Sequence, residues 1–130
     1  MAKNCNTLSN RVSLRCNKYR CFVELPLFSK RWKELGLGDD ELISLQNLLS
    51  NNPKIGKVIK NSNGSRKVRF AFKNKGKSGS IRVIYVDLEI AEVIYLLTAY
   101  DKKEKADLTK SEVKYLKQIV DVINKQISGD

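Results

Sequence analysis

Between Arg66 and Tyr100 the chain runs through three stretches of strand character, parted only by short segments of turn-forming residues. In RKVRFAFK (Arg66–Lys73), Val68, Phe70 and Phe72 fall on one side and Lys67, Arg69, Ala71 and Lys73 on the other. That is the period-two pattern of a half-buried strand, here with a cationic outer face. IRVIYVDLEI (Ile81–Ile90) is apolar at nearly every position before Asp87, as a central strand covered on both faces would be. AEVIYLLTAY (Ala91–Tyr100) is a third strand, and the short junction near Glu89–Glu92 requires the two to pair antiparallel. Such a sheet must bury its apolar faces against other elements, so the flanking sequence decides the architecture.

The flanks read as helices. CFVEL opens with a short strand built on Phe22 and Val23, and Pro26 then suits the first turn of a helix. Phe28, Trp32 and Leu35 form one helical stripe, with Gly36 as its stop. Asp39 or Asp40 is expected to cap a second helix with Leu42, Leu45, Leu48 and Leu49 on its buried face, ended by Asn52-Pro53. IGKVIK is a weak strand, Asn63-Gly64 a strong turn signal, and KNKGKSGS (Lys73–Ser80) a basic loop. After a charged connector, Thr109 and Glu112 make a T-x-x-E capping box for a last helix, on which Val113, Leu116, Val120, Ile123 and Ile127 recur at helical spacing. The expectation is an α+β domain over residues 21–130, with a mostly antiparallel sheet, an N-terminal αα-hairpin and a C-terminal helix. Residues 1–20 are acid-free and without period, and read as a basic, flexible tail.

Charge is distributed unevenly. Of 25 Lys and Arg against 14 acids, ten cations fall within residues 54–82, where there is no acid at all. A solvated surface normally mixes signs, so a block of one sign points to an anionic partner, phosphate first. No apolar run approaches the ~20 residues of a bilayer span, and the opening segment lacks the apolar core of a secretory signal. The expected setting is the cytoplasm, with Cys5, Cys16 and Cys21 as free thiols and no metal or other cofactor.

The chain has no histidine, which removes Ser-His-Asp and Cys-His hydrolases and two-histidine ribonuclease chemistry. Acid–base work would fall to Lys, Tyr, Asp or Glu, and carboxylates are missing from the basic window. The KGKSG stretch (Lys75–Gly79) is not a nucleotide-binding P-loop, since the first glycine is missing and a strand follows it. Parity puts Lys67, Arg69 and Lys73 on one strand face, with Arg82 opening the next strand within reach. Tyr100 ends a strand and points opposite to Ala99, whereas Tyr85 and Tyr95 belong to the core.

The runs FSKRWKELGLGDDEL, NPKIGKVI, RKVRFA, SGSIRVIY and LLTAYDKKEKADLT, spread over Phe22 to Ile127, resemble the HigB-like branch of the RelE/ParE toxin superfamily. The resemblance implies a RelE-like twisted sheet and the toxin of a type II toxin–antitoxin pair. Such a toxin is an endonuclease that cuts mRNA on the ribosome and is silenced by a helix-turn-helix antitoxin. Contact with DNA would come only through the antitoxin complex, and no membrane is involved. Carried over by position, Lys67 and Arg69 match the strand basics of the site, Arg82 the arginine after the glycine loop, Lys103 the basic residue after the last strand, and Tyr100 the family tyrosine. Arg66, Lys73, Lys75, Lys77 and Lys102 would bind the RNA backbone around them. The histidines of some members have no counterpart, and neither does the helix tyrosine, near Leu108–Thr109. Gly64-Ser65 and Gly79-Ser80 stand where glycine pairs are common.

The implied reaction is attack of the mRNA 2′-OH on its own 3′ phosphate, leaving a 2′,3′-cyclic phosphate. Arg69 and Arg82 would clamp the phosphate, and Lys67, or Lys73 second, would be the base in an acid-free crowd of cations. Tyr100 would orient the sugar or stack a base, with Lys102 and Lys103 near the leaving oxygen. A ParE-like gyrase-binding toxin and a non-enzymatic basic nucleic-acid-binding module are the alternatives. The antitoxin would either mask Lys67–Arg82 or, the preferred expectation, dock on the αα-hairpin with Trp32 as an aromatic anchor.

Overall fold

The computed structural model describes residues 13–16, 20–74 and 77–128, with the backbone alone described at 13–16, 74 and 77. Within them the chain is α+β. Strands β1 (Ser13–Cys16) and β2 (Cys21–Glu24) are followed by helices α1 (Pro26–Glu34) and α2 (Asp39–Asn51). Strands β3 (Lys57–Val58), β4 (Arg66–Asn74), β5 (Lys77–Leu88) and β6 (Val93–Tyr100) come next, and helix α3 (Lys110–Ser128) closes the chain. The six strands form one sheet in the order β1-β2-β6-β5-β4-β3. Every pairing is antiparallel except β2 with β6.

The sheet is the middle layer of three. On one face Phe28, Trp32, Leu42, Leu45 and Leu49 of the αα-hairpin pack against Val68, Phe70, Ile81, Val83 and Tyr85. On the other, Leu116, Val120 and Ile123 of α3 cover Val23, Ile84, Val86, Tyr95 and Leu97. β5 supplies side chains to both clusters, which is why its sequence is apolar without alternation.

Local chemistry explains the helix ends. Pro26 sits in the first turn of α1, and Gly36 takes φ 78° just past the end of α1. There the Gly36 and Leu37 amides donate to the carbonyls of Lys33 and Trp32, the bonding of a glycine-terminated helix. The cap of α2 is Gly38 rather than an aspartate: Asp39 and Asp40 lie in the first turn, and the Gly38 amide donates to Glu41 Oε1 at 2.7 Å. Carboxylates in that turn still favour the helix through its dipole. The Thr109–Glu112 box forms in both directions, at 2.8 and 3.1 Å. Asn63 and Gly64 both adopt positive φ in the turn that leads into β4.

Four further expectations need correction. KNKGKSGS is not a loop: β4 and β5 remain paired through Lys73↔Ser78 and Asn74↔Lys77, and only residues 75–76 fall outside the described chain. The stretch set aside as a tail contributes β1, and its Arg20 makes a two-pronged ion pair with Asp87, Nε to Oδ1 at 2.9 Å. Cys21 is disulfide-bonded rather than a free thiol. Trp32 is no surface anchor: it is buried, stacked on Phe28 and tilted against Phe70 at 5.3 and 5.9 Å between centroids, with its indole N–H donated to the Gly38 carbonyl. No helix among the described residues is long and apolar enough to cross a membrane.

Candidate functional site

Arg69, Arg82 and Tyr100 stand in one row across three neighbouring strands: Arg69 pairs with Arg82, and Arg82 with Tyr100. Directly paired residues share a face of a sheet, so all three project to the α3 side. The adjacent row on that face runs Lys57, Lys67, Ile84, Thr98. Lys57 thus joins the predicted cluster, although its sequence context gave it no role beyond its charge.

A β-bulge makes the row possible. Ile84 pairs with Thr98 but Tyr85 with Leu96, so β6 carries one extra residue at Leu97. In unbroken register Tyr100 would face the αα-hairpin. With the bulge it turns toward α3 and enters the second core cluster, while Ala99 packs in the first. Nothing in a strand sequence marks such a phase change.

The electrostatics differ from an acid-free cluster. After β6 the connector folds back over this face and brings Asp107 to Lys67, with Nζ to Oδ1 at 3.0 Å. That ion pair and the Leu108 amide hold the Asp107 carboxyl below the usual aspartate range. Lys105 lies over the Tyr100 ring, 5.1 Å from its centroid, and pairs with Glu112. Tyr100 is 2% exposed. Its phenol is pushed up by burial and by Asp107 and Glu112, against the lowering effect of Arg82, and so is held as a neutral O–H donor. Covered in this way, its ring cannot stack a base. Arg82 Nη1 and the Tyr100 hydroxyl are both buried and have no hydrogen-bond partner among the described residues. A buried donor left unpaired is costly, and here two sit in paired positions of one row.

The other predicted residues divide. Lys73 is exposed on the same face, two pleats beyond Arg69 and about 13 Å along the strand. Arg66 does not join them. It pairs with Tyr85 on the opposite face and donates to the carbonyls of Gly56 and Lys54 at 2.7 and 3.2 Å, where it fastens the segment before β3. Lys102 and Lys103 stand off the row and line a cleft at the end of the sheet. Lys75 lies outside the described residues, and Lys77 is described by its backbone alone, opposite Asn74. Among the described residues no group of three or more His, Cys, Asp or Glu could hold a metal ion.

Sequence reasoning missed Asp107, Lys105 and Glu112 as members of this site. The signal was the Thr109–Glu112 box itself: a helix starting there and packing on the basic face must draw the connector across it. No protein-family model matches the chain.

Proposed function

We propose that the protein is a ribosome-dependent mRNA endonuclease, the toxin of a type II toxin–antitoxin pair of the RelE/HigB kind, held silent by a helix-turn-helix antitoxin. The observation that carries the reading is the Arg69–Arg82–Tyr100 row with its two buried donors that have no partner among the described residues. A guanidinium and a neutral phenol on paired strand positions, each with a donor that has no partner among the described residues, suit the non-bridging oxygens of a phosphodiester, whose charge grows in the transition state.

In this reading the mRNA phosphate takes the position that Asp107 now holds beside Lys67. The 2′ oxygen attacks phosphorus, the bond from phosphorus to the 5′ oxygen breaks, and the products are a 2′,3′-cyclic phosphate and a 5′-OH. Arg69 and Arg82 neutralise the phosphate, and Tyr100 donates to one of its oxygens. Because the cluster is not acid-free, the lone lysine base is replaced: the phosphate displaces Asp107 from Lys67, Lys67 stays on the phosphate, and the freed Asp107 carboxylate receives the 2′-OH proton. Lys105, over the Tyr100 ring, gives a proton to the departing 5′ oxygen, which leaves as the 5′-OH. The ribosome provides the in-line geometry of the RNA.

The test is to add purified protein to ribosomes translating a defined mRNA, map the cuts and identify the ends. The reading predicts cuts within the translated region that bear cyclic phosphate and 5′-OH ends. Inhibition of gyrase without cleavage would instead favour a ParE-like toxin. Salt-dependent binding of nucleic acid without cleavage would favour a non-enzymatic module.

A further inference from the structure

The cleft that holds Lys102 and Lys103 has a volume of about 560 Å³ and is lined by Leu35, Gly36, Phe72, Ser78, Gly79, Ser80 and Asp101–Lys103. That is within the range of small-molecule sites. Its floor is aromatic. Phe72 is half-buried at the end of the stack Phe28–Trp32–Phe70–Phe72, 6.5 Å from Phe70 between centroids. Gly79 pairs with Phe72, and a Cβ at Gly79 would come within 3.2 Å of the tip of the ring, so the glycine leaves that ring in place.

The cationic wall is fixed in place. Arg31 donates to the Ala99 carbonyl at 3.1 Å and pairs with both Glu34 and Glu104. Glu104 in turn accepts from the Asp101 amide at 3.0 Å, and Asp101 Oδ1 accepts from the Lys103 amide at 2.9 Å. This turn presents Lys102 and Lys103 to the cleft while their ammoniums stay exposed. The cleft also connects to the Arg69–Arg82 row, because Ser80 lines it and accepts from Arg69 Nε at 3.2 Å. Ser80 lies on the Arg82 face of β5, about 6.6 Å away along the strand, on the order of one nucleotide step, whereas Phe72 and Gly79 lie on the αα-hairpin face, so a strand passing from the row to the cleft rounds the edge of β5 left open beyond the Arg82–Tyr100 pair.

We infer that this cleft is a nucleobase subsite. It takes the base of the RNA nucleotide next to the one whose phosphate lies on the Arg69–Arg82 row, stacks it against Phe72 and pairs its phosphate with Lys102 and Lys103. A stacked base on an aromatic ring accounts for a half-exposed phenylalanine beside two lysines, which a cleft for phosphate alone does not require. The inference rests on the RNA-cleavage reading above.

The experiment is a titration of the full chain, carrying ¹³C-labelled phenylalanine and ¹⁵N amides, with each of the four ribonucleoside 5′-monophosphates and separately with inorganic phosphate. The monophosphates are expected to shift the Phe72 ring and the Gly79, Lys102 and Lys103 amides, while inorganic phosphate leaves the Phe72 ring unmoved. Phe72→Leu should weaken monophosphate binding about tenfold. Because that change touches the core, Lys102→Glu with Lys103→Glu, both on exposed side chains, should also weaken binding at unchanged melting temperature. Shifts confined to Arg69 and Arg82 would overturn the subsite and leave the phosphate row standing. A responsive cleft in a protein that cuts no mRNA on ribosomes would keep the base subsite and overturn the cleavage reading.

Discussion

Lys67 and Asp107, 40 residues apart in sequence, meet with Nζ 3.0 Å from Oδ1, and this ion pair lays the connector of the last helix over the basic face of the sheet. An anion bound at Lys67 competes with a carboxylate already there. The pair is partly solvated, with side chains 29% and 68% exposed, so it is weak enough to be displaced.

Asp107→Asn should therefore tighten binding of a short single-stranded RNA at pH 7 by about two- to fivefold. The pH dependence has a definite sign. The folded-state value of Asp107 is depressed, so the ion pair is complete above the ordinary aspartate range and is lost as pH falls through the lowered value. The wild type should approach the affinity of the Asn variant on the acid side and differ from it at neutrality. Equal affinities at pH 7 would show that Asp107 does not compete.

Tyr100→Phe separates structure from function. The hydroxyl has no partner among the described residues, so its removal should leave the melting temperature unchanged or slightly raised. Cleavage should fall about tenfold to a hundredfold, as the loss of a positioned donor does. A clear loss of stability would mean that the hydroxyl has a partner in the folded protein.

Arg20→Ala should destabilise the fold by about 3 kcal/mol, because it leaves Asp87 as an uncompensated buried charge. The Asp87 side chain is 3% exposed. Chemical denaturation at neutral pH checks this, and a change under about 0.5 kcal/mol, the scale of ordinary surface substitutions, would contradict it. The same result bears on where the domain begins: a truncation that keeps Arg20 and one that removes it should differ in stability by a comparable amount.

Most elements were legible because their sequences obey a single rule. Alternation at Val68, Phe70 and Phe72 located β4, an unbroken apolar run located β5, and the Thr109–Glu112 box located the start of α3. Other features obey rules that no local pattern carries. Gly, Ser and Lys are poor strand formers, yet Lys77–Ser80 is paired, because two strands already in register extend as a ribbon beyond the core. β1 is four residues long and was invisible without its partner β2. In the site, parity correctly grouped Lys67, Arg69 and Lys73, and the same parity sets Arg66 on the Val68 side, where it reaches the Gly56 carbonyl; its charge alone had drawn it into the RNA-binding set. Parity could not place Asp107, whose position depends on where the helix after it packs.

Loss of the capping box should loosen the connector. Glu112→Ala removes the acceptor for the Thr109 amide and the partner of Lys105, and should cost about 1 kcal/mol. Hydrogen exchange should then speed up in residues 105–112 and remain slow in β5. Unchanged exchange in that segment would show that packing against the sheet, rather than the cap, holds it.

The most direct measurement is the rate of mRNA cleavage on translating ribosomes by the wild type, Arg69→Ala, Arg82→Ala and a control, Arg66→Ala, whose guanidinium points to the other face. The account predicts ribosome-dependent cleavage by the wild type and losses of about 10²–10³-fold for Arg69→Ala and Arg82→Ala. Arg66→Ala should retain cleavage in proportion to its folded fraction. Cleavage that persists at the wild-type rate in both row variants, or a wild type that cuts no mRNA on ribosomes, would contradict it.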